Sequence, residues 1–366
     1  MAGTGAALFL RPSRPFAEEP IDPRVSDLVR TTVGIDTHNH IDVPLTGADA
    51  PGPDLDLAGE MKRSGLAAIC MTFAVDYQPI RDPREGHERF ANGLAAFDRL
   101  LARNGMKRSL TLAEIRAAHA VAQPTVVQAV EGAHFLEGRL ERIEEACGRG
   151  LRHLGLLHDS DATPPLGDVY TNPAKFGGLT ALGVDVIKEC NRLGILVDLT
   201  HASAAAVRGA LEVSTRPVIL SHTGLDTQLG TNPDLARRMR PRLIGKELAR
   251  DVAKAGGVLG VWTHLADSPA AFAQNIRAMV DVVGVDHAAI GTDTKLTAGL
   301  GRGGPGGERP GERTNRVWDG QANGFYATVV DALLKAGFAP DEIARIGGGN
   351  FCRVFDAATA PRRPAG

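Results

Sequence analysis

The stretch "GIDTHNHIDVP" (residues 34–44) sets His38, His40 and Asp42 two residues apart. On a β-strand that spacing turns all three side chains to one side, as ligands of a shared metal ion would have to lie. Five more histidines or carboxylates stand where a short apolar run stops. Glu131 follows "PTVVQAV", His158 closes "LRHLGLLH", His201 closes "ILVDLTH", His222 closes "PVILSH" and Asp293 closes "HAAIGTD". Neutral imidazoles and carboxylates without a thiolate suit a divalent ion of the zinc type. A carboxylate among several histidines suits bridging, and two ions roughly 3.5–4 Å apart can share a hydroxide that is nucleophilic at neutral pH. A further carboxylate not used as a ligand could then carry the proton.

One histidine after a strand is ordinarily a polar strand end. Six such endings call for a common cause. The other histidines lack this placement: His87 and His119 lie in polar helical contexts, and His153 sits mid-strand with the opposite parity to His158. His134, His264 and His287 read as structural or surface residues.

For the six endings to meet, their strands must run parallel and stop on one side. From residue 30 onward apolar, β-branched runs alternate with amphipathic stretches. "TTVGIDTH", "LAAICMTFAV", "PTVVQAV", "LRHLGLLH", "ILVDLTH", "PVILSH", "VLGVWT" and "HAAIGTD" are the strand candidates. Helical stretches such as "LDLAGEMKRSG", "GLTALGVDVIKECNRLG" and "PAAFAQNIRAMVDVVG" separate them, several ending on glycine. Alternation of this kind implies parallel strands with crossover helices. About eight repeats predict an α/β fold, a (β/α)₈ TIM-type barrel whose strand ends share one mouth. A doubly wound open sheet is the runner-up, weakened because no G-x-G-x-x-G follows the first strand. The glycine-, proline- and arginine-rich stretch 294–317 follows the last strand, which puts a loop over that mouth.

The chain has 366 residues, a formal net charge of −2 and 43% hydrophobic residues, a soluble globular composition. Near-neutral charge gives no pull towards nucleic acid or an anionic membrane, and 5% aromatics argues against a base-stacking surface. Cys70, Cys147, Cys190 and Cys352 form no C-x-x-C pair and read as buried small hydrophobes. The apolar "AGTGAALFL" is too short to span a bilayer. Residues 1–20 read as a tail or the remnant of a secretion signal, and 21–366 as one barrel domain. "GTGAALFL" looks like the stretch after a twin-arginine pair, so a trimmed signal implies a periplasmic or exported protein, and otherwise a cytoplasmic one.

The chain resembles the membrane (renal-type) dipeptidase family, zinc metallopeptidases of the amidohydrolase superfamily. The likeness runs from about residue 30 to 357 on "IDTHN", "VEGAHFLEG", "GLTALGVDVIKECNRLGILVDLTHAS", "PVILSHT", "GVDHAAIGTD" and "GGNFCRVF". It implies a (β/α)₈ barrel, two Zn²⁺ ions, a homodimer and hydrolysis of dipeptides or similar small peptides. It implies that Glu131 bridges the ions, that His201 and His222 complete the second site, and that Asp293 shuttles the proton. His158 in "LLHDSD" matches the histidine that steadies the oxyanion. Arg242 in "RPRLIG" falls where the family holds the substrate carboxylate, with Arg240 a competitor.

Three departures stand out. His38-Asn39-His40 replaces the family's His-Asn-Asp, "DTKL" replaces "DFDG", and the stretch between His222 and Arg242 is atypical. The first alters the charge of the first site, and the others bear on the substrate. The alternative activity is therefore cleavage of another small amide, lactam or ester, and the rival of another class is a non-catalytic metal-binding barrel. The opening stretch itself has two registers. "IDTHN" makes His38 and His40 the ligands, whereas "HIDVP" makes them His40 and Asp42. The first is preferred because it keeps "VGI" as the strand's lead-in.

Overall fold

The computed structural model describes residues 22–46, 54–299 and 311–360. The apolar N-terminal stretch, and residues 300–310 of the glycine-rich insert, lie outside the described residues. Among the described residues nine strands form one all-parallel sheet. They are β1 (Ile35–His40), β2 (Ala68–Thr72), β3 (Thr125–Val130), β4 (Leu151–Gly155), β5 (Leu196–Asp198), β6 (Ile219–Thr223), β7 (Val258–Val261), β8 (Ala288–Ile290) and β9 (Thr294–Lys295). Consecutive strands pair from β1 to β8, and β9 pairs with the free side of β1.

The strand β8–β9 closes the ring. Its start pairs with β7 (Ala288 beside Leu259) and its end pairs with β1 (Thr294 beside Asn39). Only Gly291, Thr292 and Asp293 separate the two halves. The TIM-type barrel therefore stands and the open sheet does not.

The interior is filled by alternate residues of successive strands, as the two-residue period of a strand requires. Ile35, Ala68, Cys70, Val127, Ala129, Leu196, Ile219, Val258 and Ala289 form an inner core. Phe351, Val354 and Phe355 of the last helix, Asn350–Thr359, pack against it and plug one end. Removing such a buried ring costs about 3–5 kcal/mol. Just beneath the metal-ligand candidates Thr37 Oγ1 crosses the barrel to donate to the carbonyls of Ser221 (2.6 Å) and Ile290 (3.0 Å). Gly260 and Gly291 make that crossing possible, since a Cβ on either would stand 1.9 Å from the Ser221 carbonyl. Alanine at either position would push the strands apart there.

Several helix limits follow from sequence. Leu57–Ser64 stops at Gly65 (φ 72°) and Ala181–Leu193 at Gly194 (φ 74°), both in the left-handed conformation that glycine adopts without penalty. Three helices were not expected. Pro23–Thr31 is capped by Asp22, Leu112–Ala120 by a reciprocal Thr111–Glu114 pair, and Pro233–Met239 by Asn232. The first of these shifts the opening strand. It was expected over 31–38, but the helix holds the chain to Thr31, so β1 begins at Ile35 and still includes His40. All four cysteines are free. No helix among the described residues is long and apolar enough to cross a membrane.

Candidate metal centre

The six strand endings do converge, and Glu131 is at their centre. It follows β3, is buried, and takes its backbone register from the neighbouring strand through Glu131 N–H to the Phe73 carbonyl (3.0 Å). Its Oε1 faces His201 Nε2 (2.8 Å), His38 Nε2 (3.5 Å) and His222 Nε2 (3.5 Å). Its Oε2 faces His158 Nε2 (3.3 Å) and His40 Nε2 (3.7 Å). Asp293 Oδ1 lies 3.1 Å from His40 Nε2 and 3.9 Å from His38 Nε2. Three overlapping groups could each hold an ion: His38, Glu131 and His222; His38, His40 and Asp293; Glu131, His158 and His201.

Each ring is aimed by a partner at its other nitrogen, as metal-ligating histidines usually are. Ser221 Oγ serves both His38 Nδ1 (3.1 Å) and His222 Nδ1 (3.0 Å). Tyr77 Oη meets His40 Nδ1 (2.8 Å), Asp76 Oδ1 meets His158 Nδ1 (2.6 Å) and Asp159 Oδ1 meets His201 Nδ1 (3.1 Å). The Nε2 atoms are thereby left to face one another. His38 and His40 approach to 3.2 Å, and His201 and His222 to 3.3 Å. Crowded imidazole nitrogens around a buried carboxylate, with no thiolate, are the donor set of a divalent ion of the zinc type. The residues present fit such ions.

Backbone strain marks the same place. His201 (φ 69°) and Asp293 (φ 54°) are two of five described non-glycine residues with positive φ. Such conformations cost about 1–3 kcal/mol each and persist where the surroundings impose them.

The charges divide unevenly. Burial pulls the His38 and His222 rings down, towards the neutral form that binds metal. Burial also opposes charge on His201, but Asp159 and Glu131 outweigh it and push the ring up to about 10. His40 is raised in the same way, with Asp293 and Glu131 overcoming burial. Burial works against charge on Glu131 and Asp293 too. The imidazoles around them nonetheless hold both carboxyls well below the usual range, so both are carboxylates.

The remaining residues take distinct places. Arg242 lies at the rim, on the turn Arg240–Arg242, and its guanidinium donates to Asp159 Oδ2 (2.6 Å). Arg240 on the same turn is exposed. Asp42 turns away from the histidines and pairs with Lys295 Nζ (2.8 Å). Asn39 also points away: its amide donates to Asp36 Oδ2 and Thr314 Oγ1 (both 2.8 Å) and its Oδ1 accepts from Leu296 N–H (2.8 Å). The geometry thus follows the "IDTHN" register.

His264, expected to be structural or on the surface, instead donates to Asp293 Oδ2 (2.7 Å). His134 is buried beside Asp76 (3.5 Å), behind His158. Asp76, Tyr77, Asp159 and Tyr170 were not singled out from sequence at all. Asp76 and Tyr77 directly follow the apolar run "LAAICMTFAV" that contains β2, so the strand-end logic reached them in principle.

Comparison with known proteins bears on the family and the fold. Human Dipeptidase 3 is 28% identical over 237 residues, a match covering 62% of this chain and 43% of the relative. The aligned part thus spans less than half the length of that relative. An amidohydrolase from Pseudomonas aeruginosa shares the fold with a TM-score of 0.71 at 19% identity, covering 91% of this chain and 98% of its own. A metallo peptidase from Rhodobacter sphaeroides, solved with a phosphinate mimic of the dipeptide L-Ala-D-Ala, does so with a TM-score of 0.65 at 19% identity, covering 90% and 100%. Residues 23–303 match the membrane dipeptidase family throughout. The chain belongs to that family, peptidase family M19.

Proposed function

We propose that the protein is a dinuclear zinc hydrolase that cleaves the peptide bond of dipeptides or similarly small amides. One observation carries the reading: five imidazoles, those of His38, His40, His158, His201 and His222, converge on the single buried carboxylate of Glu131, and both of its oxygens are engaged. His38 and His40 with Glu131 would hold one ion, and Glu131 with His201 and His222 the other. Divalent ions held there acidify water and polarise a carbonyl.

The chain's own residues supply the rest. Asp293 Oδ1 faces His38 and His40 from the strand end and is kept ionised, so it can take a proton from the attacking water and pass it to the departing amine. His264 holds the other oxygen of Asp293 and fixes its orientation. Asp76 can only accept, so Nδ1 of His158 carries a proton. For Nε2 to donate to the developing oxyanion as well, the ring must be positive, a charge that Asp76 balances. Arg242 at the rim reaches the end of a short substrate. The dipeptide mimic bound by the Rhodobacter sphaeroides metallo peptidase supports a ligand of this size.

The test is metal analysis joined to turnover of a dipeptide panel. Two equivalents of zinc and hydrolysis of at least one dipeptide are expected. Zinc-loaded protein that cleaves no dipeptide, acylated amino acid or lactam would refute the hydrolase. Cleavage of the latter two alone would favour the second reading, a different small amide, which the engagement of Arg242 by Asp159 motivates. A homodimer belongs to the same proposal and is checked by sedimentation.

A further inference from the structure

Arg242 is the rim cation placed to meet the far end of a substrate, yet it is not free. Its guanidinium donates to Asp159 Oδ2 at 2.6 Å, while Asp159 Oδ1 is held by His201 Nδ1 at 3.1 Å. Two partners pin this carboxylate, so it cannot swing aside without releasing His201. The pair is partly open to solvent, with side-chain exposures of 27% for Arg242 and 43% for Asp159, and so a ligand can reach it. Beside it, Tyr170 is tied down by its N–H to the His201 carbonyl (2.9 Å), and its ring stacks on the His201 ring at 5.2 Å. The Tyr170 hydroxyl is buried and has no hydrogen-bond partner among the described residues. Arg242 and Asp159 are the charged groups that act on it most.

A free carboxylate drawn to Arg242 would set a second anion against Asp159, around a guanidinium already neutralised. Like charges at that separation oppose one another, and the five donors of a guanidinium offer no acceptor to compensate. An uncharged amide meets the same pair differently. Its carbonyl oxygen accepts from Arg242, its N–H donates to Asp159, and the Tyr170 hydroxyl can serve either atom. A donor–acceptor pair in the protein is thus matched by a donor–acceptor group in the ligand, and the charged competitor is repelled.

We propose that Asp159 sets terminal-group selectivity at Arg242, so that the preferred substrate ends in an uncharged amide rather than in a free carboxylate. The amide is either a terminal carboxamide or the next peptide bond of a longer chain. The reaction is unchanged: water adds across the scissile peptide bond, leaving a carboxylate on one fragment and an amine on the other. This inference rests on the hydrolase reading.

The experiment compares kcat/KM of the zinc-loaded parent and Asp159→Asn on alanyl-alanine, its carboxamide and alanyl-alanyl-alanine. The ratio of carboxamide to free dipeptide cancels any common effect of the substitution on His201. It is expected to fall by about fivefold or more in Asp159→Asn, the size set by a partly exposed charge pair, through a lower KM for the free dipeptide. In the parent the ratio itself is expected to exceed one. A parent that favours the free dipeptide, or a smaller fall, no change or a rise in the variant, overturns the proposal. Tripeptide turnover identifies the amide as the next peptide bond. Carboxamide turnover without it identifies a terminal carboxamide. If Asp159→Asn does not fold, inhibition of the parent by a dipeptide-mimicking phosphinate and by its carboxamide decides. Binding of the carboxamide at least as tight as that of the acid supports the proposal, and tighter binding of the acid overturns it. Failure of the parent to cleave any peptide, acylated amino acid or lactam refutes the hydrolase, while the phosphinate pair still reads terminal-group selection.

Discussion

The two flanks of Glu131 are held by different means. On one, His38 and His40 project from β1 and Asp293 from the adjoining strand end. Buried, mostly uncharged groups stand behind them. Asn39 joins Asp36, Thr314 and Leu296, and Asp36 in turn accepts from Thr292 N–H (2.8 Å) and Thr292 Oγ1 (2.6 Å). On the other flank His158 and His201 are aimed by carboxylates, Asp76 and Asp159, and the second of these is half open to water. The loop after His158 is gathered by another carboxylate, Asp168, which accepts from the N–H groups of Lys175 (2.6 Å), Phe176 (2.9 Å) and Gly178 (2.8 Å). One flank is therefore set by strand pairing, the other by charges on a loop. Substrate preference can change on the loop flank without moving the strand flank.

Glu131→Gln should break both flanks at once, because Glu131 alone faces every histidine of the cluster. Zinc content is expected to fall below one equivalent and peptide hydrolysis to disappear. Retention of two ions by this variant would show that the flanks bind independently. Asp293→Asn touches the strand flank only. As a proton carrier it should cost about 10²–10⁴ in kcat, the usual range for general acid–base catalysis, with both ions retained. Loss of an ion instead would make Asp293 a ligand, as its place with His38 and His40 permits.

Asp168→Asn addresses the loop flank and has a pH signature. Burial raises the carboxyl of Asp168, but the backbone donors of Lys175, Phe176, Gly178 and Gly177 together outweigh it, so its folded value lies below that of an ordinary aspartate. Depression of an acid stabilises the fold above the unfolded pKa, and the contribution is lost as pH falls through the folded one. Removing a charged acceptor of this kind should cost about 2 kcal/mol at pH 7. The gap between parent and variant in urea unfolding should then narrow below about pH 4, the ordinary aspartate value. A gap that stays constant down to pH 3 would mean the charge on Asp168 is not what holds the loop.

The same division explains what the sequence disclosed. His38, Glu131, His158, His201, His222 and Asp293 were legible because parallel barrel strands send every C-terminal end to one mouth. Only the strand pattern had to be right. The groups behind them were harder. Asp159 and Tyr170 lie on a loop whose path depends on Asp168 gathering backbone from seven to ten residues further on, which no local period encodes. His264 follows β7 by three residues, and its neighbours "VWTHLAD" resemble any solvated strand exit. The helix Leu112–Ala120 is a different case, since its Thr111-x-x-Glu114 cap stood in the sequence and only the weak apolar period hid it.

Asp42→Ala is the smallest change and the sharpest test of how β1 is read. Asp42 lies two residues past His40, yet β1 ends at His40 and the chain has left the strand. Strand parity therefore no longer aims Asp42 with His38 and His40, and Lys295 on β9 claims its carboxylate. A partly exposed pair of this kind contributes at most about 1 kcal/mol. The variant should keep two equivalents of zinc and unfold within about 1 kcal/mol of the parent, whereas His38→Ala should lose an ion. Loss of an ion from Asp42→Ala, with His38→Ala unaffected, would move the ligand pair two residues along the chain and assign the first site to His40 and Asp42.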